Sequence, residues 1–212
     1  MAINQNHDLE NRHLFVAAKT GGGKSQLMRN ELIPRQGIRA LFWDVDADHY
    51  CTRYSNKGEF LRAVKAAIRQ GGPFRIGWVG NDDLETFQWF CSVAWEILNG
   101  DKITWVVCEE MADLDMGQKL PPFLKKLLVR GRKYGAIVVS TTQRCQDVPK
   151  MLITQPANKY IGLHDMQDAR YLERNLGIKA QEIESQKPLT FFHKSPESIE
   201  PISTKWRKYT PK

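Results

Sequence analysis

The chain has 212 residues, of which 42% are hydrophobic and 26% charged, and its formal net charge is +7 at pH 7. This length suffices for one domain with a full-sized core. No apolar run reaches the roughly 18 residues that a membrane-spanning helix needs, which argues against an integral membrane protein. The first residues lack the basic start and apolar middle of a signal peptide, so we expect a cytoplasmic location.

A glycine-rich loop near the start of the chain is its most informative segment. Residues 18–25 read Ala-Lys-Thr-Gly-Gly-Gly-Lys-Ser, after an apolar run and before a helical pattern that stops at Pro34. Strand, glycine loop and helix in this order predict a phosphate-binding P-loop, although Ala18 replaces the usual first glycine. Lys24 is expected to reach the β- and γ-phosphates, and the Ser25 hydroxyl to bind Mg²⁺. The predicted nucleotide-binding residues are Thr20, Gly21, Gly22, Gly23, Lys24, Ser25 and Gln26.

Short apolar strands alternate with helical patterns along the chain, which is typical of a mostly parallel α/β sheet. The predicted strands are 13–18, 38–43, 74–79, 103–108, 136–141 and, at an edge of the sheet, 159–163. The predicted helices are 24–33, 57–70, 84–98, 120–134 and 165–176, with Asp82 or Asp83 as the cap of the third. After about residue 178 the pattern becomes strand-like. We therefore predict a P-loop ATPase core at 1–177 and a short C-terminal extension at 178–212 that packs on the core or on a neighbouring subunit.

A carboxylate pair follows the apolar strand at 103–108 and gives this segment the form of a Walker B element. In such an element one carboxylate lies near Mg²⁺, and a second takes a proton from the water that attacks the γ-phosphate. We assign Glu109 to the metal side and Glu110 to the base. The usual metal-side residue is Asp, so the division of roles between the two stays open. A buried strand with a solvated acidic end is the simpler alternative.

A basic helix and a strand that ends in Thr-Thr-Gln-Arg form the third motif. Residues 119–133 contain six basic side chains and no acidic one, which fits either phosphate contacts or a solvated face. Ligand chemistry in a parallel sheet collects at the carboxyl ends of the strands. Gln143 is therefore expected near the γ-phosphate, where an amide can orient water.

Other polar and aromatic residues have simpler interpretations. Asp44 and Asp46, at the end of the strand at 38–43, either lie near the Mg²⁺ or cap a turn. The histidines show no metal-ligand spacing and are interpreted as ordinary residues: His7, His13, His49, His164 and His193. Five tryptophans lie in strand or helix patterns and are predicted in the core: Trp43, Trp78, Trp89, Trp95 and Trp105.

The order of the three motifs resembles the FtsK–HerA superfamily of DNA-pumping ATPases. The resemblance rests on the P-loop, the strand ending in Glu109 and Glu110, and the Arg-Gly-Arg-Lys-Tyr-Gly segment followed by a strand and Gln143. The small size is similar to that of genome-packaging ATPases of tailless, membrane-containing double-stranded DNA viruses. The resemblance implies an ASCE/RecA-like P-loop NTPase fold, with one strand between the P-loop strand and the Walker B strand.

Function and partners follow from this resemblance as expectations. It implies an ATPase that uses ATP and Mg²⁺ to translocate double-stranded DNA into a capsid, through phosphate contacts without base readout. It implies a homo-oligomeric ring, usually a hexamer, in which a neighbour's arginine completes each site. Arg130 and Arg132 are the candidates for that role. Capsid-vertex or membrane proteins are further expected partners, with a virion-associated location at a packaging vertex.

Two other classes of function remain open from the sequence. A nucleotide or small-molecule kinase suits a P-loop protein of this size, although kinases need neither the Glu pair nor a strand ending in Gln. A non-motor phage assembly or export ATPase usually brings a transmembrane segment. A GTPase switch is disfavoured, because no Asn-Lys-x-Asp motif is present.

Overall fold

A nine-stranded sheet runs through the centre of the protein in the computed structural model, which describes residues 1–210. The strands are β1 (Leu14–Ala17), β2 (Arg39–Trp43), β3 (Thr52–Tyr54), β4 (Phe74–Trp78), β5 (Thr104–Cys108), β6 (Ala136–Thr142), β7 (Asn158–Ile161), β8 (Thr190–Lys194) and β9 (Ile199–Ser203). Their order across the sheet is β3-β4-β2-β5-β6-β1-β7-β8-β9. The first seven strands are parallel, and β8 and β9 are antiparallel additions at one edge.

Seven helices connect these strands within the described residues. They are α1 (Lys24–Leu27), α2 (Lys57–Gln70), α3 (Leu84–Glu96), α4 (Pro122–Arg130), α5 (Lys150–Thr154), α6 (Met166–Leu176) and α7 (Ala180–Glu184). A π-helical turn (Met28–Leu32) continues α1, and a 3₁₀ turn (Gly131–Tyr134) continues α4. The Asp83 side chain caps α3 by accepting a hydrogen bond from the Thr86 amide at 2.8 Å, as the sequence predicted.

The alternation of strands and helices predicted from the sequence is confirmed, and the differences lie at the edges and in short elements. The strand predicted at an edge, 159–163, is internal β7, because β8 pairs with it on the outer side. The helix predicted at 24–33 keeps α-geometry only in its first turn. Three elements of three to five residues were not predicted (β3, α5 and α7). Such lengths are too short to show a hydrophobic period.

Alternating side chains of the central strands divide the core into two layers. Phe15 and Leu41 point into the larger layer, beneath α2, α3, α4 and α6. Val16 and Phe42 point to the opposite face, where α1 and Phe191 of β8 cover them. Four of the five tryptophans predicted in the core are no more than 7% exposed, and Trp89 is half-buried against the larger layer. Within residues 1–210, no helix combines the length and the apolar character needed to cross a bilayer.

His13 and His164 are both buried, His13 just before β1 and His164 just after β7, the strand that pairs with β1. The Nδ1 atom of His13 accepts a hydrogen bond from the Val138 amide at 3.0 Å, and burial lowers its pKa to about 4. Burial also lowers the pKa of His164 to about 4. Both values lie below 6.5, so the unfolded chain takes up these protons first as the pH falls, and the folded state loses stability in this range.

We expect each of the two histidines to remove about 2 kcal/mol from the free energy of unfolding between pH 7 and pH 5. His13→Asn keeps an acceptor for the Val138 amide but cannot be protonated, so its free energy of unfolding should fall less over the same range. Chemical denaturation at both pH values measures this difference. Replacement of exposed His7 by Asn is the control, and an equal pH dependence in His13→Asn and the wild type would contradict the prediction.

Candidate nucleotide-binding site

The glycine loop leaves the carboxyl end of β1 and turns into α1 with two residues in the left-handed region. Gly21 has φ 74° and Gly23 has φ 102°, values that side-chain-bearing residues rarely adopt. A Cβ atom on Gly23 would lie 2.7 Å from Cδ2 of Leu189, so this glycine also permits close contact with the C-terminal extension. The loop thus has the backbone form of a P-loop, with amide groups available for phosphate oxygens.

An open cleft of about 560 Å³ lies over this loop. Its walls come from the P-loop, from segments that follow β2, β5 and β6, and from the C-terminal extension. The volume lies within the roughly 300–1,000 Å³ that is usual for small-molecule sites. The cleft is at the carboxyl edge of the parallel strands, the place predicted for ligand chemistry.

Lys24 and Glu110 form an ion pair at the floor of this cleft. The Lys24 Nζ atom lies 3.2 Å from Oε1 of Glu110 and donates to the Ala18 carbonyl at 3.0 Å. Lys24 is only 7% exposed, so water screens the pair poorly. The sequence predicted both residues for this site, and the structure brings them together from segments 86 positions apart.

Glu110 is held in a strained conformation beside Gln143. Its φ of 45° is rare for residues other than glycine, and such strain is concentrated at functional sites. Burial raises the pKa of Glu110, whereas the charge of Lys24 and a hydrogen bond from Gln143 oppose that shift. The Gln143 amide oxygen accepts a hydrogen bond from the Thr20 hydroxyl. Gln143 therefore links the P-loop to the carboxylate, and a water between them would have an acceptor and an orienting amide.

Glu109 does not line the cleft over the P-loop and is bonded to a histidine. Its Oε1 atom lies 2.8 Å from Nε2 of His49, and both residues are buried. Asp44, His49 and Glu109 place one potential ligand atom each within 4.8 Å of one another. The interpretation of His49 as an ordinary residue was wrong, because the fold brings it to a carboxylate 60 positions away. No spacing within the sequence signals that contact.

Three acidic residues at 44, 46 and 48 follow β2 and have different environments. Asp44 is fully buried and caps the turn by accepting from the amides of Asp48 at 2.7 Å and His49 at 3.1 Å. The Ser25 hydroxyl donates to Oδ2 of Asp48 at 2.8 Å. Asp48 was not among the predicted site residues, although its i, i+2 spacing from Asp46 was a usable signal.

The oxygen atoms beside Ser25 suit a magnesium ion. A hydroxyl and carboxylates are the ligands that Mg²⁺ prefers, and Asp48 and Asp46 both line the cleft with Ser25. Partial burial and the nearby carboxylates of Glu109 and Asp48 raise the pKa of Asp46, a sign of concentrated negative charge that a cation would relieve. Ser25 and Glu109 were the predicted metal residues. Asp48, bonded to Ser25, is better placed than Glu109 to share a metal with it.

Arg130, at the end of α4, and Arg132, in the 3₁₀ turn that follows, do not line this cleft. They precede β6, whose carboxyl end carries Gln143. They therefore lie near the amino end of that strand, opposite the end at which the cleft opens. Arg132 donates to the Leu9 carbonyl, whereas Arg130 is exposed at the end of α4. Within one subunit neither arginine joins Lys24 and Glu110.

Gln26, the last predicted nucleotide-binding residue, lines the cleft but uses its side chain elsewhere. Its amide nitrogen donates to the Arg207 carbonyl, and its amide oxygen accepts from the Arg207 amide, both at 2.9 Å. The side chain therefore fastens the end of the chain to α1 and leaves only the Gln26 backbone for a phosphate.

A phage protein shares the sequence of this chain over most of its length. Protein P9 of Pseudoalteromonas phage PM2 is 32% identical over 177 residues, which cover 82% of this chain and 79% of that protein. The chain belongs to the family of protein P9. None of the protein-family models compared with the chain matches it.

Solved structures confirm the predicted fold. The genome packaging NTPase B204 from Sulfolobus turreted icosahedral virus 2, in complex with AMPPCP, superposes with a TM-score of 0.73 at 13% identity, over 93% of this chain and 99% of that chain. Two other structures superpose nearly as well. The bacterial conjugative coupling protein TrwB has a TM-score of 0.68 at 13% identity, over 97% of this chain and 87% of that chain. VirB4 of Thermoanaerobacter pseudethanolicus has a TM-score of 0.67 at 14% identity, over 92% of this chain and 90% of that chain. The chain therefore has the P-loop NTPase fold that these structures share. As the resemblance found in the sequence implied, β6 lies between β1 and β5.

The contact between Gly23 and Leu189 allows a paired test of the loop. Gly21→Ala meets no atom within 4 Å and should cost only the left-handed conformation, about 1–2 kcal/mol of unfolding free energy. Gly23→Ala adds a clash with Leu189 and should cost about 1–3 kcal/mol more. Urea denaturation of both variants measures the difference. Equal losses would show that Leu189 does not press on the loop.

Proposed function

We propose that this protein is an ATP-hydrolysing motor that translocates double-stranded DNA and packages a viral genome into a preformed capsid. The observation that carries the proposal is the convergence of Lys24, Glu110 and Gln143 in one cleft. Kinship with a phage protein supports the viral setting, and the fold shared with B204, described as a genome packaging NTPase, supports the motor class.

The chain's own residues supply binding and acid–base chemistry. The P-loop amides and Lys24 would hold the phosphates of ATP, with Lys24 exchanging its contact with Glu110 for phosphate oxygens. Glu110 would accept a proton from the attacking water, which Gln143 orients. Magnesium, held by Ser25 with Asp48, would neutralise charge on the phosphates. Glu109, bonded to His49, would position the turn that presents Glu110.

The basic end of the molecule is the proposed contact for DNA and for a neighbouring subunit. Helix α4 buries the predicted apolar side, which includes Leu124 and Leu127, and exposes Lys125 and Arg130. Exposed lysines without acidic neighbours can contact the backbone phosphates of DNA whatever its base sequence. Val129, 47% exposed beside Arg130, gives this end of α4 the apolar contact that a subunit boundary needs. In a homo-oligomeric ring, proposed as a hexamer, Arg130 is the better candidate to reach a neighbour's site, because Arg132 is bonded to Leu9.

Substitution of the two glutamates separates their roles. Glu110→Gln should bind ATP but lower kcat by roughly 10²–10⁴-fold, the usual effect of a lost general base. Glu109→Gln should lower kcat less and reduce thermal stability, because it weakens the buried bond to His49. The rate of phosphate release under saturating ATP measures kcat, and titration calorimetry measures the affinity for ATP.

Lys24→Ala should lose both ATP binding and turnover. Glu85→Gln, which replaces an exposed acid on α3, is the matched control for the two glutamate variants. Wild-type kcat in Glu110→Gln would contradict the assignment of the base.

Duplex DNA should stimulate ATP hydrolysis by the wild-type protein, and the stimulation should decline steeply with salt because it rests on phosphate contacts. Lys125→Glu should weaken the stimulation more than Lys65→Glu, a charge reversal on exposed α2. Hydrolysis rates with and without duplex, from 50 mM to about 200 mM salt, measure both effects. Absence of stimulation by any nucleic acid would contradict the motor. Transfer of phosphate from ATP to a nucleoside in a panel would instead establish the kinase alternative.

A further inference from the structure

Residues 204–210 form a segment that we call the C-terminal strap, and Trp206 of this segment lines the cleft. Its first part is fixed to α1 and the π-helical turn. Gln26 makes two hydrogen bonds of 2.9 Å with the backbone of Arg207, and the Asn30 amide donates to the Lys205 carbonyl at 2.8 Å. Both residues that flank Trp206 are thus held by the helix that begins at the P-loop.

The far part of the strap is anchored beside the predicted metal residues. The Tyr209 hydroxyl donates to the His49 carbonyl at 2.7 Å and accepts from Nη2 of Arg53 at 2.7 Å. The Arg29 guanidinium lies 4.6 Å from the centre of the Tyr209 ring, and Arg29 also pairs with Asp48 at 3.2 Å. The strap is therefore fixed on both sides of Trp206.

Trp206 lines the cleft and is 69% exposed, unlike every other tryptophan in the described residues. Four of those are no more than 7% exposed, and Trp89 is half-buried. An indole fixed through its backbone at the rim of a ligand cleft presents a large flat face to whatever the cleft holds.

The apolar residues that line the cleft belong, like Trp206, to the C-terminal extension. Pro188 and Leu189 line the cleft too, and the Leu189 amide donates to the Gly22 carbonyl at 3.0 Å, so this side is joined directly to the P-loop. The charged groups, Lys24 and Glu110, mark the phosphate end. A nucleotide has the same division, a polyanionic end and a flat aromatic end.

We propose that Trp206 stacks on the purine base of the bound nucleotide, so that the C-terminal strap forms the base-binding wall. This inference rests on the proposed function, in which the P-loop holds the triphosphate. Stacking uses the π-face that every base offers and does not read base edges. The two-ring purines offer a larger face than the one-ring pyrimidines and should stack more strongly. ATP and GTP should therefore bind with similar affinity, and CTP more weakly.

The test compares ATP with tripolyphosphate, which has phosphates and no base, both with Mg²⁺, by titration calorimetry on the full chain. Trp206→Ala should weaken ATP about tenfold and leave the Kd for tripolyphosphate unchanged. Trp206→Phe should recover most of the ATP affinity, because a phenyl ring still stacks. Ile199→Ala, which shortens an exposed apolar residue on β9, is the matched control and should bind both ligands as the wild type does.

The outcomes separate this inference from the proposed function. Unchanged ATP affinity in Trp206→Ala would overturn the stacking role, and so would an equal loss for ATP and tripolyphosphate, which would indicate a structural role. In both cases the phosphate site would stand if Lys24→Ala abolishes binding. If the wild type and Lys24→Ala bind neither ligand, the proposed function fails and the inference fails with it.

Discussion

Parallel pairing of β5, β6 and β1 determines where Lys24, Glu110 and Gln143 lie. Ala17 pairs with Thr142, and Cys108 pairs with Ser140, so the three strands end at one edge in nearly the same register. The residues that follow them are the P-loop, the glutamate pair and Gln143. A shift of one residue in either pairing would turn alternate side chains to the other face and separate Lys24 from Glu110.

Negative charge is concentrated at this edge, and the fold neutralises most of it internally. Lys24 pairs with Glu110, Arg53 with Asp44 and Arg29 with Asp48, at 3.2 Å in each case. Asp44 is fully buried, so its contacts to Arg53 and to backbone amides offset a large desolvation cost. The result is a polar layer beneath the cleft whose charged groups fix one another's positions.

Sequence reasoning could predict the parts of the site that lie within contiguous motifs. The P-loop, Glu110 and Gln143 each follow an apolar strand, and parallel topology then places them together. Asp48 was missed because its partner, Ser25, is known only once β1 and β2 are placed. His49 and Glu109 are 60 positions apart, and Gln26 and Arg207 are 181 apart, so no local pattern announces either contact. The edge assignment of 159–163 was wrong because the antiparallel pairing of β8 depends on a hairpin with weak alternation.

The positive φ of Glu110 lowers the stability of the fold at the residue that is also the proposed catalytic base. Glycine or asparagine relaxes a backbone in that region, and a shorter side chain would also be easier to accommodate near Lys24. Laboratory evolution for heat resistance would therefore favour replacement of Glu110, and the more stable protein would lose the proposed catalytic base. Stabilising substitutions in this P-loop NTPase fold should therefore be sought at other positions, and the strained Glu110 should be retained.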